Sequence, residues 1–203
     1  MFPFDVILFD VGGVLLTNGW DTRERALAAE HFHLDSAELE LKHHAISGQW
    51  ECGLISRDAY LDATVFCEPR SFSRGEFFSF VLAQSQWLPD GAIGILKQVV
   101  ASNKYMVGAL NNEARETNEY RLATFGLRQC FKVTLSSCYL GLRKPDLAIY
   151  LRTLDILGTP AERILFIDDR AENVAGAVKA GMKAIQFRNQ EQLRGEFVSL
   201  GLL

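Results

Sequence analysis

Asp10, Asn111, Asn112, Lys144, Asp168 and Asp169 are the residues of this chain whose types and spacing could do chemistry together. The apolar run Val6-Ile7-Leu8-Phe9 breaks off at the single carboxylate of Asp10, with Gly12 and Gly13 close behind. Such a run reads as a buried parallel strand that delivers Asp10 to its C-terminal edge, where open α/β sheets place their ligands. The two glycines clear side chains from the adjoining turn, so that a substrate or an ion can reach the backbone. Asp10 is therefore a candidate nucleophile or metal ligand. Two further apolar runs end in polar pairs, Asn111-Asn112 and Asp168-Asp169, and the segment Leu142-Arg143-Lys144-Pro145-Asp146 sets a lysine just before a helix start. Carboxylates from two strands with a lysine between them suit one task. Two or three oxygens hold a hard cation such as Mg²⁺, which prefers to share a phosphate. Cation and lysine then screen that phosphate so that a carboxylate can approach it.

The elements that must carry these residues follow from the periodicity. Strands are expected at 6–9, 105–110, 132–135, 164–167 and 184–186, with helices between them at 88–101, 113–125, 145–157, 173–180 and 190–200. Gly126, Gly158 and Gly181 stand where helix C-terminal glycines belong, and Pro145 stands at a helix start. This alternation predicts an α/β fold, a Rossmann-like, doubly wound parallel sheet of five core strands. Residues 22–85 break the alternation with four short helices. In these, Leu27 and Phe32, then Leu39, Leu41 and Ile46, then Ala59, Tyr60 and Ala63, then Phe77, Phe78, Phe80 and Val81 are the expected inner faces. Asp35 or Ser36 can cap the second helix, and Ser56 can cap the third. The expected organisation is a core of residues 1–16 and 88–203 with an inserted small helical cap at 17–87, placed to act as a lid.

Composition narrows the partners. A chain of 203 residues with 48% hydrophobic and 23% charged residues is an ordinary globular composition. A net charge of −4 offers no basic stripe for nucleic acid. No apolar run reaches membrane-spanning length, and the N-terminus leads straight into the first strand, so a cytoplasmic protein without a membrane partner is expected. Cys52, Cys67, Cys130 and Cys138 form no CxxC pair and read as reduced thiols. Monomer and homodimer both remain open.

The four polar elements, in this order and spacing, resemble the motifs of the haloacid dehalogenase superfamily, in the branch whose helical cap follows the first strand. FDVGGVLL is similar to its first motif, ALNN to the second, LRKPD to the third and FIDDRAENV to the fourth, so that the resemblance covers the whole chain. Residues 48–56, GQWECGLIS, also resemble the cap of a sub-branch that includes a bacterial glucose-1-phosphate phosphatase. The resemblance implies that Asp10 attacks phosphorus and forms an aspartyl-phosphate that water hydrolyses. It implies Mg²⁺ held by Asp10, the backbone carbonyl of Gly12 and Asp169. Asp168 would orient a metal-bound water or Lys144, and Asn173 would support that loop. Lys144 would pair with the nucleophile and the phosphate, while Asn111, Asn112 and the turn at Gly13 would bind phosphate oxygens. A small phosphorylated metabolite, a sugar phosphate first, is the expected substrate.

Two positions depart from the family pattern. Gly12 stands where most of its phosphatases carry a second aspartate that protonates the leaving group, and Asn111 stands where Ser or Thr is usual. General acid catalysis is typically worth about 10²–10⁴ in rate, so its source matters. His43 and His44, with Trp50 and Glu51 near them in sequence, either supply that acid or form a solvated helix face, the plainer reading. Asn111-Asn112 can also be a simple turn, and Trp20 and Asp21 either touch substrate or pack at the cap hinge. The rival readings are a metal-independent haloacid dehalogenase and a catalytically weakened phosphate-binding or regulatory protein.

Overall fold

The computed structural model describes residues 3–203. Its centre is a five-stranded sheet of β1 (Val6–Phe9), β2 (Met106–Asn111), β3 (Val133–Ser136), β4 (Ile164–Asp168) and β5 (Lys183–Gln186), in the order β3-β2-β1-β4-β5 with every pair parallel. β1 is central because it pairs on both sides, with Val6 opposite both Met106 and Ile164. The chain first builds outward to β3 and then restarts at β4 on the other side of β1. That reversal opens a crevice between the C-terminal ends of β1 and β4. Asp10 continues the ladder one residue past β1, its N–H donating to Ile167 O at 2.8 Å.

Alternate residues of the strands supply two separate apolar layers. Ile7, Phe9, Val107 and Ile167 pack with α5 (Ile93–Ser102) and α10 (Gln190–Ser199) through Ile95, Val99, Leu193 and Phe197. Val6, Leu8, Leu110 and Phe166 face α8 (Leu147–Leu157) and α9 (Ala171–Lys179) through Ile149, Tyr150 and Ala177. Both faces of the sheet are thus covered, which explains why the strands read as continuous hydrophobic runs.

Between β1 and α5 lie α1 (Thr22–His31), α2 (Ser36–Glu51), α3 (Arg57–Thr64) and α4 (Arg74–Ala83). Asp21, Asp35, Ser56 and Ser73 cap their N-termini with side-chain oxygens, and the first and last close reciprocal boxes with Glu24 and Glu76. The four helices share an aromatic core in which Trp50 stacks on Tyr60 at 4.2 Å and Phe77 and Phe78 are buried. The chain leaves and re-enters the sheet layer at one place. Leu16 bridges Trp87 antiparallel, and Thr17 N–H donates to Gln86 O at 2.9 Å.

Several expected details shift. β2 and β3 each start and end one residue later than expected. α5 begins at Ile93 because residues 88–92 first bond back to the turn after β1: Leu88 N–H donates to Leu15 O and Ala92 N–H to Val14 O. α6 (Arg115–Thr124) and α8 start two residues later than expected, and α9 two residues earlier. A further short helix, α7 (Ser137–Leu140), follows β3. Leu27, Leu41, Ala59 and Ala63 point outward, since the helices bury neighbouring positions instead. The inner face of α2 is Leu39, His43, Ser47 and Trp50, a stripe too polar for core packing alone.

Candidate functional site

The ends of β1 and β4 bring three carboxylates together. Asp10, Asp168 and Asp169 each offer an oxygen within 4.8 Å of the others. Lys144, reaching in from the loop before α8 with its side chain 1% exposed, sets Nζ 3.1 Å from Asp10 Oδ1 and 2.6 Å from Asp168 Oδ2. Nζ also donates to Leu110 O at 2.9 Å. Burial first, then the neighbouring carboxylates of Asp168 and Asp169, push Asp10 up to about 7 against the pull of Lys144. Burial alone would lower Lys144, but Asp10 and Asp168 outweigh it and raise the ammonium's pKa, keeping it charged.

The two aspartates of the pair do different work. Both oxygens of Asp168 are taken: Oδ1 accepts from Arg170 N–H at 2.8 Å and Asn173 Nδ2 at 2.9 Å, and Oδ2 from Lys144 and Asn173. Tyr150 OH in turn donates to Asn173 O at 2.8 Å. Asp168 therefore fixes the lysine. The Asp169 carboxylate lies against the turn after β1. Gly13 has φ of 72°, and a Cβ there would come within 2.3 Å of Asp169 Oδ2, so only glycine allows this approach. Burial and Asp168 raise the pKa of Asp169.

Three carboxylates gathered against one ammonium leave an excess of negative charge whenever they are ionised, at the largely buried ends of β1 and β4. The all-oxygen donor set of Asp10, Asp168 and Asp169 fits a divalent hard cation.

The asparagine pair is committed elsewhere. Asn111 Nδ2 donates to Glu113 Oε2 and Asn118 Oδ1, and its Oδ1 accepts from Ser136 Oγ at 2.6 Å. This side chain, expected on phosphate, is instead consumed in a buried network, because the neighbouring polar groups leave its amide no free hydrogen. Asn112 clasps the lysine loop, Nδ2 donating to Lys144 O and Oδ1 accepting from Lys144 N–H, both at 2.8 Å.

Above these residues a cavity of about 420 Å³ opens between the sheet edge and helices α1 and α2. From the helices it is lined by Arg25, His43, Trp50 and Glu51, and from the loops by Arg143 and Arg170. His43, expected on a solvated face, is buried, with Nδ1 2.8 Å from Tyr60 OH, while His44 is the exposed one. Trp20 donates to Tyr60 OH at 2.7 Å and packs edge-on to Phe77, and Asp21 pairs with Arg170 at 3.1 Å. Sequence reasoning did not single out Arg143, Arg170 or the buried Glu113–Arg121 pair, 2.6 Å apart. Arg143 and Arg170 directly adjoin Lys144 and Asp169, which was a usable signal. Arg121 had none, since its partner lies eight residues away across a helix start. The cysteines are unpaired. Among the described residues no helix is long and apolar enough to cross a membrane.

This chain belongs to the haloacid dehalogenase-like hydrolase family, whose pattern matches residues 4–181. It is 31% identical over 166 residues to flavin mononucleotide hydrolase 1 of Arabidopsis thaliana, covering 81% of this chain and 65% of that protein. It is 28% identical over 200 residues to a phosphatase of Mycobacterium tuberculosis, covering 93% and 89%. A drimenol cyclase of Aspergillus calidoustus is 25% identical over 167 residues, which span 79% of this chain and 31% of the cyclase. The chain thus spans under two thirds of two of these relatives. Its fold matches that of a haloacid dehalogenase family enzyme from Bacteroides thetaiotaomicron, crystallised with magnesium and inorganic phosphate. There the TM-score is 0.81 at 20% identity, over 96% of this chain and 99% of that one.

Proposed function

We propose that the protein is a Mg²⁺-dependent phosphatase of small phosphorylated metabolites, working through a phosphoryl group carried on Asp10. The observation that carries this reading is the Lys144 ammonium held between Asp10 and Asp168, 3.1 and 2.6 Å away, beside the third carboxylate of Asp169. Asp10 Oδ1 accepts from Val11 N–H at 2.8 Å, which fixes the carboxylate's rotation and leaves Oδ2 to attack. Lys144, tethered by Asp168 and by the Asn112 clasp, offers its charge to the phosphate oxygens. A divalent cation, when bound by Asp10, Asp169 and the Gly12 carbonyl, supplies the charge neutralisation that lets an anionic carboxylate approach an anionic phosphate. Asp168 and Asn173 keep the loop in place. The relatives named as a flavin mononucleotide hydrolase and a phosphatase agree with this class of substrate.

Residues 17–87 serve in this reading as a cap over a core of residues 1–16 and 88–203, hinged where Leu16 meets Trp87. Sugar phosphates are the favoured substrates. The polar stripe of α2 facing the cavity suits a hydroxyl-rich leaving group, and residues 48–56 carry the resemblance to a sugar phosphatase cap. The dehalogenase reading gives no task to the free carboxylate of Asp169. The binding-protein reading draws its support from the loss of Asn111 to the core network. A phosphate-release assay over sugar phosphates with Mg²⁺ and with EDTA tests the proposal. Release that needs the metal and is abolished in Asp10→Asn is the expected result. Metal-independent release, or full activity in Asp10→Asn, would contradict it.

A further inference from the structure

Departure of a sugar oxygen from phosphorus at neutral pH calls for a proton. The turn behind the nucleophile offers none, because Gly12 has no side chain and a Cβ there would already lie 3.0 Å from Asn18 Oδ1. Most acidic groups lining the cavity are engaged. Asp21 accepts from Thr22 N–H, Asn18 Nδ2 and Arg170 Nη2, and Glu113 is held by Arg121 and Asn111. His43 is tied to Tyr60 OH and pushed down to about 4 by burial, so that it is neutral at pH 7. Glu172 stands exposed at the start of α9.

Glu51 differs from all of these. It ends α2, and its main chain is pinned to the core: Ser137 Oγ donates to Glu51 O at 2.7 Å and accepts from Glu113 N–H at 2.9 Å. This joins the cap's second helix to the residue that follows Asn111-Asn112. Its carboxylate faces the cavity with Oε2 3.1 Å from Arg143 Nη2, an ion pair to the residue next to Lys144. That oxygen has no directed hydrogen bond among the described residues. The preceding residue, Trp50, is only 4% exposed, lines the same cavity, and leaves Nε1 without a partner among the described residues. A buried donor and an incompletely bonded carboxyl lining one cavity point to a polar ligand group between cap and core.

We propose that Glu51 is the proton donor to the leaving oxygen and the base for the attacking water, with Trp50 Nε1 donating to the leaving group. The inference rests on the phosphatase reading. In the first step an Asp10 oxygen bonds to phosphorus as the ester P–O bond breaks. The electron pair of that bond stays on the leaving oxygen, which takes the Glu51 proton and departs as an alcohol. Water then attacks the phosphorus and gives a proton to the Glu51 carboxylate. The Asp10–phosphorus bond breaks, returning the aspartate and inorganic phosphate. Burial holds the Glu51 carboxyl above its ordinary range, with Glu113 adding to the rise, against the pull of Arg143, Arg170 and Arg25. His43 and His44 are the other titratable groups on its own helix near the cavity.

The test compares kcat/KM of wild type and Glu51→Gln on a sugar phosphate and on p-nitrophenyl phosphate, whose phenolate leaves without a proton. General acid catalysis predicts a loss of about 10²-fold or more on the sugar phosphate and only a few-fold on the nitrophenyl ester. Glu51→Asp, which keeps an acid one methylene shorter, should recover part of the loss. Equal losses on both esters, or none on either, would overturn the assignment. A wild type inert toward both esters with Mg²⁺ present would instead overturn the phosphatase reading itself, and this inference with it.

Discussion

Gly13 is the smallest residue of the site and among the least replaceable. Its φ of 72° alone costs an alanine about 1–2 kcal/mol. The added methyl would also lie 2.3 Å from Asp169 Oδ2, so the carboxylate must move. Gly13→Ala is expected to fold, to lose activity, and to shift the Mg²⁺ titration midpoint upward by about tenfold, as displaced ligands do. An unchanged midpoint in a metal titration would remove Asp169 from the ligand set. At this scale the charged residues were legible in the sequence, since a carboxylate at a strand end has few other uses. Their division of labour was legible only through the family resemblance, since Asp168 and Asp169 are adjacent and identical in type. The hydrogen bonds of Lys144 and Asn173 to Asp168 agree with the part of it that has Asp168 orienting the lysine. Asn111 was expected on phosphate, but its Nδ2 donates to Glu113 and Asn118 close by in the chain and its Oδ1 accepts from Ser136 on β3, a network that residue type alone does not reveal.

The loops and helices that carry these side chains are coupled through a few polar contacts. The Asn112 clasp makes two hydrogen bonds to the main chain of Lys144, joining the end of β2 to the loop before α8. Removing it in Asn112→Ala should cost about 2 kcal/mol, at about 1 kcal/mol per bond. It should also lower kcat more than it raises KM, because the lysine is loosened rather than removed. Thermal melts and steady-state kinetics on sugar phosphates check both parts, and a variant with unchanged kcat would mean that Asp168 alone positions the lysine. Helix starts were legible where a capping side chain marks them, as at Asp35 and Ser56. α5 was misplaced because Leu88-Pro89-Asp90 resembles a helix start, whereas long-range bonds to Leu15 and Val14 hold residues 88–92 as a return segment. The inner face of α2 was misread in part. Leu39 and Ile46 do pack inward, but Leu41 points to solvent and His43, Ser47 and Trp50 complete the inner side of the helix. Spacing along a 3.6-residue turn was the better guide.

Across the whole molecule, the sheet and the four-helix insertion separate into apolar cores of their own, joined by few chain crossings, and the cavity lies where they meet. The parallel, doubly wound sheet of five strands was legible because the strands alternate with helices. The cavity was not, because its walls come from α1, α2 and three loops at once. Stability should register the insertion through His43, which burial, with Arg25 adding to it, pushes down to about 4. The unfolded chain binds that proton at about 6.5, so it holds more protons than the folded one between those values. Stability contributed by the neutral ring is full above pH ~6.5 and is lost as pH falls toward ~4. His43→Gln should flatten that part of the stability profile in denaturant titrations, and an unaltered slope would show that the ring is protonated in the fold. The central claim, that Asp10 carries the phosphoryl group, is tested most directly by quenching the enzyme in acid during turnover of a sugar phosphate with Mg²⁺ and mapping the peptides by mass spectrometry. The peptide containing Asp10 should gain the mass of one phosphoryl group on Asp10, removable by hydroxylamine and absent in Asp10→Asn. Turnover of substrate with no phosphoryl group on Asp10 at any quench time, or with one on another residue, would contradict the account.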